Sequence, residues 1–524
     1  MNRPHPTASL VLLLGLGSAP AAAGQLGVEP SAPGPFERIA GSLVLGSGDL
    51  ESLAADVFLA RAGEGEARLL LLAPEREPDA EARAAPWLER GAPAVEVVST
   101  AGEPDGWLPR FAGATGAWLE GELSSDALAG PRGQGLGLVL REFLDRGGVV
   151  AAAGRGAEQL AGAAPGLGLL PGAALIADYR PERDRARVLA LLEDRPGRVV
   201  LTVEPDTALV LYERFFRAVG SGSVRAFVAA GGGRPLREDV IRGRVRGDLV
   251  ALTRAALART GPAFPPAEPP PPRVASGSLV IAGGGPLPAG LLERFIELSG
   301  GPEATIVYVP CAYAERLERE PGFLRSLRAA GAENATWIHT KDRARADGDE
   351  DFLAPLAEAG GVWFGGGRQW NFVDSYQDTR AHRLMQAVLD RGGAIGGSSA
   401  GASIQADYMA RGNPLGNLDI MAEGYERGLG FLTGVAIDQH FTQRGRQPDM
   451  SSLVDTYPQL LGIGLDEGTA LVVQGSVAEV VAAGGARHVY FYDRGKPAPE
   501  EGPDWERLGA GGRYELAERR VLGE

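Results

Sequence analysis

Cysteine is almost missing from these 524 residues: Cys311 stands alone. An internal disulfide is therefore excluded. Cys311 closes the run Val307-Tyr308-Val309-Pro310-Cys311, a strand end where a buried structural thiol is expected, and it is far from any leader that a lipid could modify. Histidine is scarce too, five in all, and none falls between Gly24 and Pro262. No cluster of Cys, His and Asp has metal-ligand spacing, so neither a metal nor another cofactor is expected. Excess positive charge is lacking: the net charge is −15, which argues against nucleic acid as a partner. Long apolar runs are absent as well. Leu10 to Leu16 is too short to span a bilayer, and nothing later is long enough. With Arg3 before it and Pro20-Ala21-Ala22-Ala23 after it, that run reads as a secretory signal cleaved near residue 23. A secreted protein, periplasmic or extracellular, is expected, with no membrane association once the signal is gone.

What is present is glycine (76), proline (38) and recurring short apolar runs, the material of a turn-rich α/β protein of more than one domain. Pro262 to Pro272 divides the chain, and Pro269 to Pro272 cannot sit in a helix or a central strand. The two sides match in order. Gly41-Ser42-Leu43-Val44-Leu45 corresponds to Gly277-Ser278-Leu279-Val280-Ile281, and Gly116-Ala117-Trp118-Leu119 to Gly361-Val362-Trp363-Phe364. Leu144-Asp145-Arg146-Gly147-Gly148 recurs at Leu389 to Gly393, and Thr207-Ala208-Leu209-Val210 at Thr469 to Val472. A duplicated domain accounts for collinear matches. The expected organisation is a signal peptide at 1–23, a first copy at 24–260, a Pro-rich linker at 261–273 and a second copy at 274–524. Each copy alternates helical stretches with near-continuous apolar runs such as Thr305 to Val309, which predicts a mostly parallel sheet flanked by helices, with its site at the carboxyl ends of strands.

One such end carries chemistry. A short strand through Ala394-Ile395-Gly396 runs into Gly397-Ser398-Ser399-Ala400-Gly401, which fits G-x-S-x-G. Small neighbours are what a serine on a tight strand-to-helix turn requires. A nucleophilic serine needs a base and the base an orienting acid. His440 follows the apolar run Val435-Ala436-Ile437 and is the leading base, with His339, His382 and His488 as alternatives; His382 reads as a solvated surface residue. Asp466 and Glu467, in a turn between apolar runs, are candidates for the acid.

Four ordered blocks carry a resemblance: Phe364-Gly365-Gly366-Gly367-Arg368-Gln369, Gly397 to Ala402, Asp438-Gln439-His440-Phe441-Thr442-Gln443-Arg444-Gly445-Arg446, and Gly464-Leu465-Asp466-Glu467-Gly468-Thr469-Ala470. In these the second half resembles the cyanophycinases and the wider S51 serine peptidase family, which includes aspartyl dipeptidase. The resemblance implies a class I glutamine amidotransferase-like fold, Ser399 as nucleophile, His440 as base and Glu467 as its partner. It implies an oxyanion hole from Gly367 and Ala400, and a substrate clamp of Gln369, Asp438, Gln439, Arg444 and Arg446. The implied substrate is cyanophycin, multi-L-arginyl-poly-L-aspartate, cut to β-Asp-Arg dipeptides. Arginines suit its carboxylates and Asp438 its guanidinium. Cyanophycinases carry a further arginine three positions after the second, and here that position is Asp449. Short acidic or β-aspartyl peptides are the alternative substrates, and a two-copy binding scaffold the non-enzymatic alternative.

The first copy has lost these residues. Gly154 stands opposite Ser399, Asp178 opposite His440, Pro205 opposite Glu467 and Ser124 opposite Gln369. It is expected to be inactive, a structural partner or one half of a pseudo-dimer; a homodimer is the other assembly to expect.

Overall fold

The alternation of buried strands and helices is realised twice along the chain. The structure, a computed structural model, describes residues 38–48, 53–101, 107–129, 131–162, 166–170, 172–317, 319–484, 487–495 and 502–523. The signal segment 1–23 lies outside the described residues. In the second half a nine-stranded sheet has the spatial order Ala335–Trp337, Ile306–Val309, Gly361–Phe364, Ala394–Ser398, Ser278–Ala282, Thr469–Gln474, Val477–Ala482, Arg513–Glu515, Arg520–Leu522. The first five are parallel and the rest antiparallel. The sheet is thus mixed. The alternating βα part supplies the parallel side, and tight turns such as Gly475-Ser476 force an antiparallel return. Ile306–Val309 and Gly361–Phe364 are buried along their whole length, as strands covered on both faces must be. A five-stranded sheet lies beside it, in the order Ala406–Met409, Leu432–Gln439, Leu461–Leu465, Val489–Asp493, Glu506–Leu508.

The first half has an eight-stranded sheet in the order Ala94–Ser99, Arg68–Ala73, Gly116–Leu119, Val149–Ala153, Ile39–Gly46, Thr207–Glu213, Phe215–Gly220, Arg246–Asp248, and a four-stranded sheet beside it. Through Phe215–Gly220 the larger sheet follows the same sequence of parallel and antiparallel neighbours as its counterpart. The segment 261–273 contains neither helix nor strand; Phe264 stacks on Tyr408, and Pro270 and Pro272 press on Gly434.

Both halves belong to one compact unit. Polar side chains at their junction are sorted by sign. Arg214, fully buried, binds Asp248 of its own half at 2.8 and 3.0 Å and reaches Asp374 and the Tyr425 hydroxyl (2.5 Å) of the other. Arg259, Arg234 and Arg237 converge on Glu423 at 2.6, 3.1 and 3.1 Å. Arg254 donates to the Gly424 carbonyl at 2.8 Å. At Gly424 a Cβ would lie 2.4 Å from the Ala251 carbonyl, so only glycine lets this segment close on the helix Leu249–Arg259.

Candidate active site

Three chain segments meet at the end of the strand Ser278–Ala282. Its last residue pairs with Ser398 on one side and Ala470 on the other, which brings the turns after Ser398 and before Thr469 to one edge. Ser399 N–H donates to the Ala282 carbonyl, His440 N–H to Gly283 and Gly468 N–H to Gly284. Gly283 to Gly285 had no place in the sequence reading. A Cβ on Gly284 would lie 2.3 Å from the His440 ring, and one on Gly285 3.1 Å from a Glu467 carboxylate oxygen. Three consecutive glycines after an apolar strand were the signal that could have revealed them.

Ser399 sits between the strand Ala394–Ser398 and a helix of a single turn, Ala400–Ser403, with φ +57°. That conformation is costly for a residue with a side chain, and it persists because the surrounding chain holds it. Its neighbours must be small: a Cβ on Gly397 would be 2.2 Å from the Gly401 carbonyl. His440, at φ +50°, ends the strand Leu432–Gln439 of the second sheet. Ser399 Oγ lies 2.9 Å from His440 Nε2, and His440 Nδ1 lies 2.6 Å from Glu467 Oε1. An ionised carboxylate only accepts, so Nδ1 carries the proton and Nε2 accepts from the serine hydroxyl. Burial lowers the His440 pKa; Glu467 opposes this, and the cation of Arg444 adds to it.

Of the two candidate acids, Glu467 faces the histidine. Asp466 is buried and accepts from Thr442 N (3.0 Å) and Oγ1 (2.6 Å) and from His488 N (3.1 Å), which ties three segments together. Gln443, which had no role assigned from the sequence, accepts the Glu467 N–H at 2.9 Å. The remaining histidines lie elsewhere. His339 Nε2 donates to the Ala314 carbonyl at 2.7 Å. His382 is packed, not solvated: its Nε2 is 2.8 Å from Leu429 O and its ring meets Phe431 edge-on, because the helix Arg380–Asp390 turns this face inward.

The loop 365–367 faces the serine. A Cβ on Gly366 would be 3.5 Å from Ser399 Cβ, whereas one on Gly367 would meet Cys311 at 2.9 to 3.1 Å. Gly366 is therefore the residue pressed against the serine, and Gly367 is the one wedged against Cys311. Cys311 is a tightly packed thiol, pushed up to about 12 by burial, with Sγ 2.9 Å from Arg368 O.

The residues assigned to a clamp divide into an exposed and a buried set. Arg444 is exposed. Gln369 is buried and donates to the carbonyls of Ala410 (2.6 Å) and Arg411 (3.0 Å). Asp438 is fully buried, and its carboxylate already holds two arginines of the chain, Arg411 at 2.9 Å and Arg446 at 2.8 Å. The guanidinium that the sequence reading placed on Asp438 is thus supplied from within, since a carboxylate shut away from water must find its partner there. Arg446 also donates to the Gln439 carbonyl, while the Gln439 Oε1 is buried without a partner among the described residues. Arg411, overlooked from sequence, spans Asp438 and Asp449 (2.6 Å).

Residues 279–481 match Peptidase family S51. The cyanophycinase of Geminocystis herdmanii (strain PCC 6308) is 29% identical over 219 residues, 40% of this chain and 80% of that protein. The cyanophycinase of Trichormus variabilis (strain ATCC 29413 / PCC 7937) is 30% identical over 191 residues, 35% of this chain and 62% of that protein. The cyanophycinase of Thermosynechococcus vestitus (strain NIES-2133 / IAM M-273 / BP-1) is 31% identical over 193 residues, and the match spans 58% of its length. Among solved structures, a peptidase from an acI-B1 Actinobacterium is 22% identical, with 46% of this chain and 97% of that one covered at a TM-score of 0.35. The matched part of this chain is thus related to a peptidase family. More narrowly, the chain has a cyanophycinase/S51 family relationship, and the family match lies wholly in the second half.

Proposed function

We propose that the chain is an exported serine peptidase of the cyanophycinase type, cutting multi-L-arginyl-poly-L-aspartate to β-Asp-Arg dipeptides with Ser399, His440 and Glu467. The observation that carries this reading is the unbroken hydrogen-bonded line from Ser399 Oγ to His440 Nε2 and from Nδ1 to Glu467. In the proposed reaction His440 takes the hydroxyl proton as Ser399 Oγ attacks the peptide carbonyl, and the proton passes to the leaving amine. Water, deprotonated by the same imidazole, then releases the acyl group. The backbone N–H groups of Ala400 and of the glycine loop, Gly367 by resemblance, receive the oxyanion, each donor contributing roughly 3 kcal/mol. Arg444 is the part of the clamp left exposed to meet substrate, with the buried Gln369, Asp438, Gln439 and Arg446 acting as its support.

The first half is proposed to be a degenerate copy without hydrolytic activity. Support comes from backbone geometry that outlived the side chains: Gly154 has φ +55° where Ser399 has +57°, and Asp178 has +52° where His440 has +50°. Short acidic or β-aspartyl peptides remain a second substrate reading, favoured by Asp449, whose carboxylate pairs with Arg411 where the resemblance would have an arginine. The test is incubation of the full-length protein with insoluble cyanophycin, followed by chromatography of released β-Asp-Arg. Cleavage of short aspartyl peptides without release from the polymer would select the second reading. Undiminished hydrolysis by Ser399→Ala would refute both.

A further inference from the structure

A groove of about 470 Å³ runs along the junction of the two halves. One wall is the first half, with the strands Arg237–Ile241 and Arg246–Asp248. The other is the second-half segment 413–423. Most charged groups in it are already paired, Arg237 with Asp239 and Glu423, and Asp248 with Arg214. Arg246 and Asp419 are different. Both are exposed, and among the described residues neither has an opposite charge within ion-pair distance. The Arg246 guanidinium lies over the Phe215 ring at 5.3 Å, and Asp419 accepts from Asn413 Nδ2 at 2.9 Å. Val245 and Leu415, which also line the groove, are 53% and 39% exposed.

The groove is tied to the serine. Arg368, next to Gly367, donates to the Gly416 carbonyl at 2.7 Å, and Arg411, bound to Asp438, donates to the Leu418 carbonyl at 2.8 Å. The rim formed by 413–419 is therefore one arginine side chain from the glycine loop and one from the strand that carries His440.

We infer that this groove is a subsite for residues of a charged peptide outside the bond being cut, with Arg246 receiving a carboxylate and Asp419 a guanidinium or ammonium. It rests on the peptidase reading above, and it gives the half that lacks the triad a share in substrate binding. On this proposal a single unit held at Ser399 leaves the groove empty, whereas a chain of alternating carboxylate and guanidinium groups extends into it and offers each charge its partner.

The test uses full-length Ser399→Ala protein and two fluorescein-labelled probes, an oligomer of β-Asp-Arg units and a single unit, read by fluorescence anisotropy. Arg246→Gln and Asp419→Asn should each weaken oligomer binding about two- to fivefold, and together about tenfold, as exposed ion pairs do. Single-unit binding and the circular dichroism spectrum should not change. Hydrolysis by the unsubstituted protein is scored separately. If it is absent while the substitutions still weaken oligomer binding, the catalytic reading falls and the groove stands. Failure of the oligomer to bind, binding indifferent to both substitutions, or equal weakening of both probes overturns the groove proposal.

Discussion

Arg214 is where the two halves are most exposed to a single substitution. Its side chain is 0% accessible, and those of its partners Asp248 and Asp374 are 2% and 9% accessible. Replacing it by methionine fills much of the space but leaves both carboxylates buried with their main cation gone. Removing one partner of a buried pair costs about 3–5 kcal/mol, a large share of the roughly 5–15 kcal/mol that keeps a protein folded. Urea unfolding followed by tryptophan fluorescence reports on it, with Trp370 4.7 Å from the guanidinium. The pH dependence separates lost charge from lost packing. Burial opposes ionisation of Asp374, but Arg214, Arg254 and Lys341 outweigh it and hold its pKa below the ordinary value. In the parent protein that contribution is present above the unfolded pKa of about 3.9 and fades as pH falls through the folded one. In Arg214→Met the folded pKa rises, so the folded state takes up protons more readily than the unfolded chain. The deficit should be full near pH 7 and shrink as pH falls towards about 4. Asp374→Asn added to Arg214→Met should recover part of it. A loss under about 1 kcal/mol at pH 7, or a deficit that does not change with pH, would show that the junction is not held by these charges.

Ser399→Ala should lower kcat by about 10⁴- to 10⁶-fold and Glu467→Gln by about 10²- to 10⁴-fold, measured on whichever peptide the protein cleaves. The His440 imidazole, its pKa lowered by burial, keeps its neutral base form below pH 6.5, so the acid limb of kcat/KM should be centred below that value. Arg444→Gln removes a cation that lowers this pKa, and the limb should move to higher pH; a shift downward contradicts the assignment. Gly366→Ala places a methyl 4.0 Å from Ser399 Oγ, in ordinary contact with the protein but in the path of a substrate carbonyl. It should cost about 10²-fold in kcat/KM with no change in melting temperature. Gly154→Ser in the first half, tested on a Ser399→Ala background, should restore no hydrolysis, because Asp178 rather than an imidazole stands beside it.

Much of the candidate site was legible before the fold was known, for local reasons. Ser399 announces itself through Gly397 and Gly401: a Cβ on Gly397 would meet the Gly401 carbonyl four residues on, a local demand, whereas one on Gly401 would meet the Phe364 carbonyl of a neighbouring strand. His440 and Glu467 each follow a strand, and strand ends are recognisable from apolar runs. The choice between Asp466 and Glu467 was not legible from spacing. Adjacent residues in a turn point to different sides, and only the position of Thr442 and His488 shows which carboxylate is taken. Asp438 was misjudged for a related reason. Its charge is visible in the sequence, and so is Arg446 eight residues on, but the second arginine that holds it, Arg411, lies 27 residues earlier.

By itself, the sequence determined the alternation of strands and helices, the matching order of the two halves and the candidates for the reactive side chains, because those follow from periodicity and from the small residues that a serine on a tight turn requires. The tertiary structure decided what the first half does to the second. Arg214 and Asp374 are 160 residues apart, and Glu423 gathers arginines from three places in the first half. No local pattern encodes such pairings. They exist because folding removes these groups from water together, and a buried charge is tolerated only where an opposite one is brought to meet it.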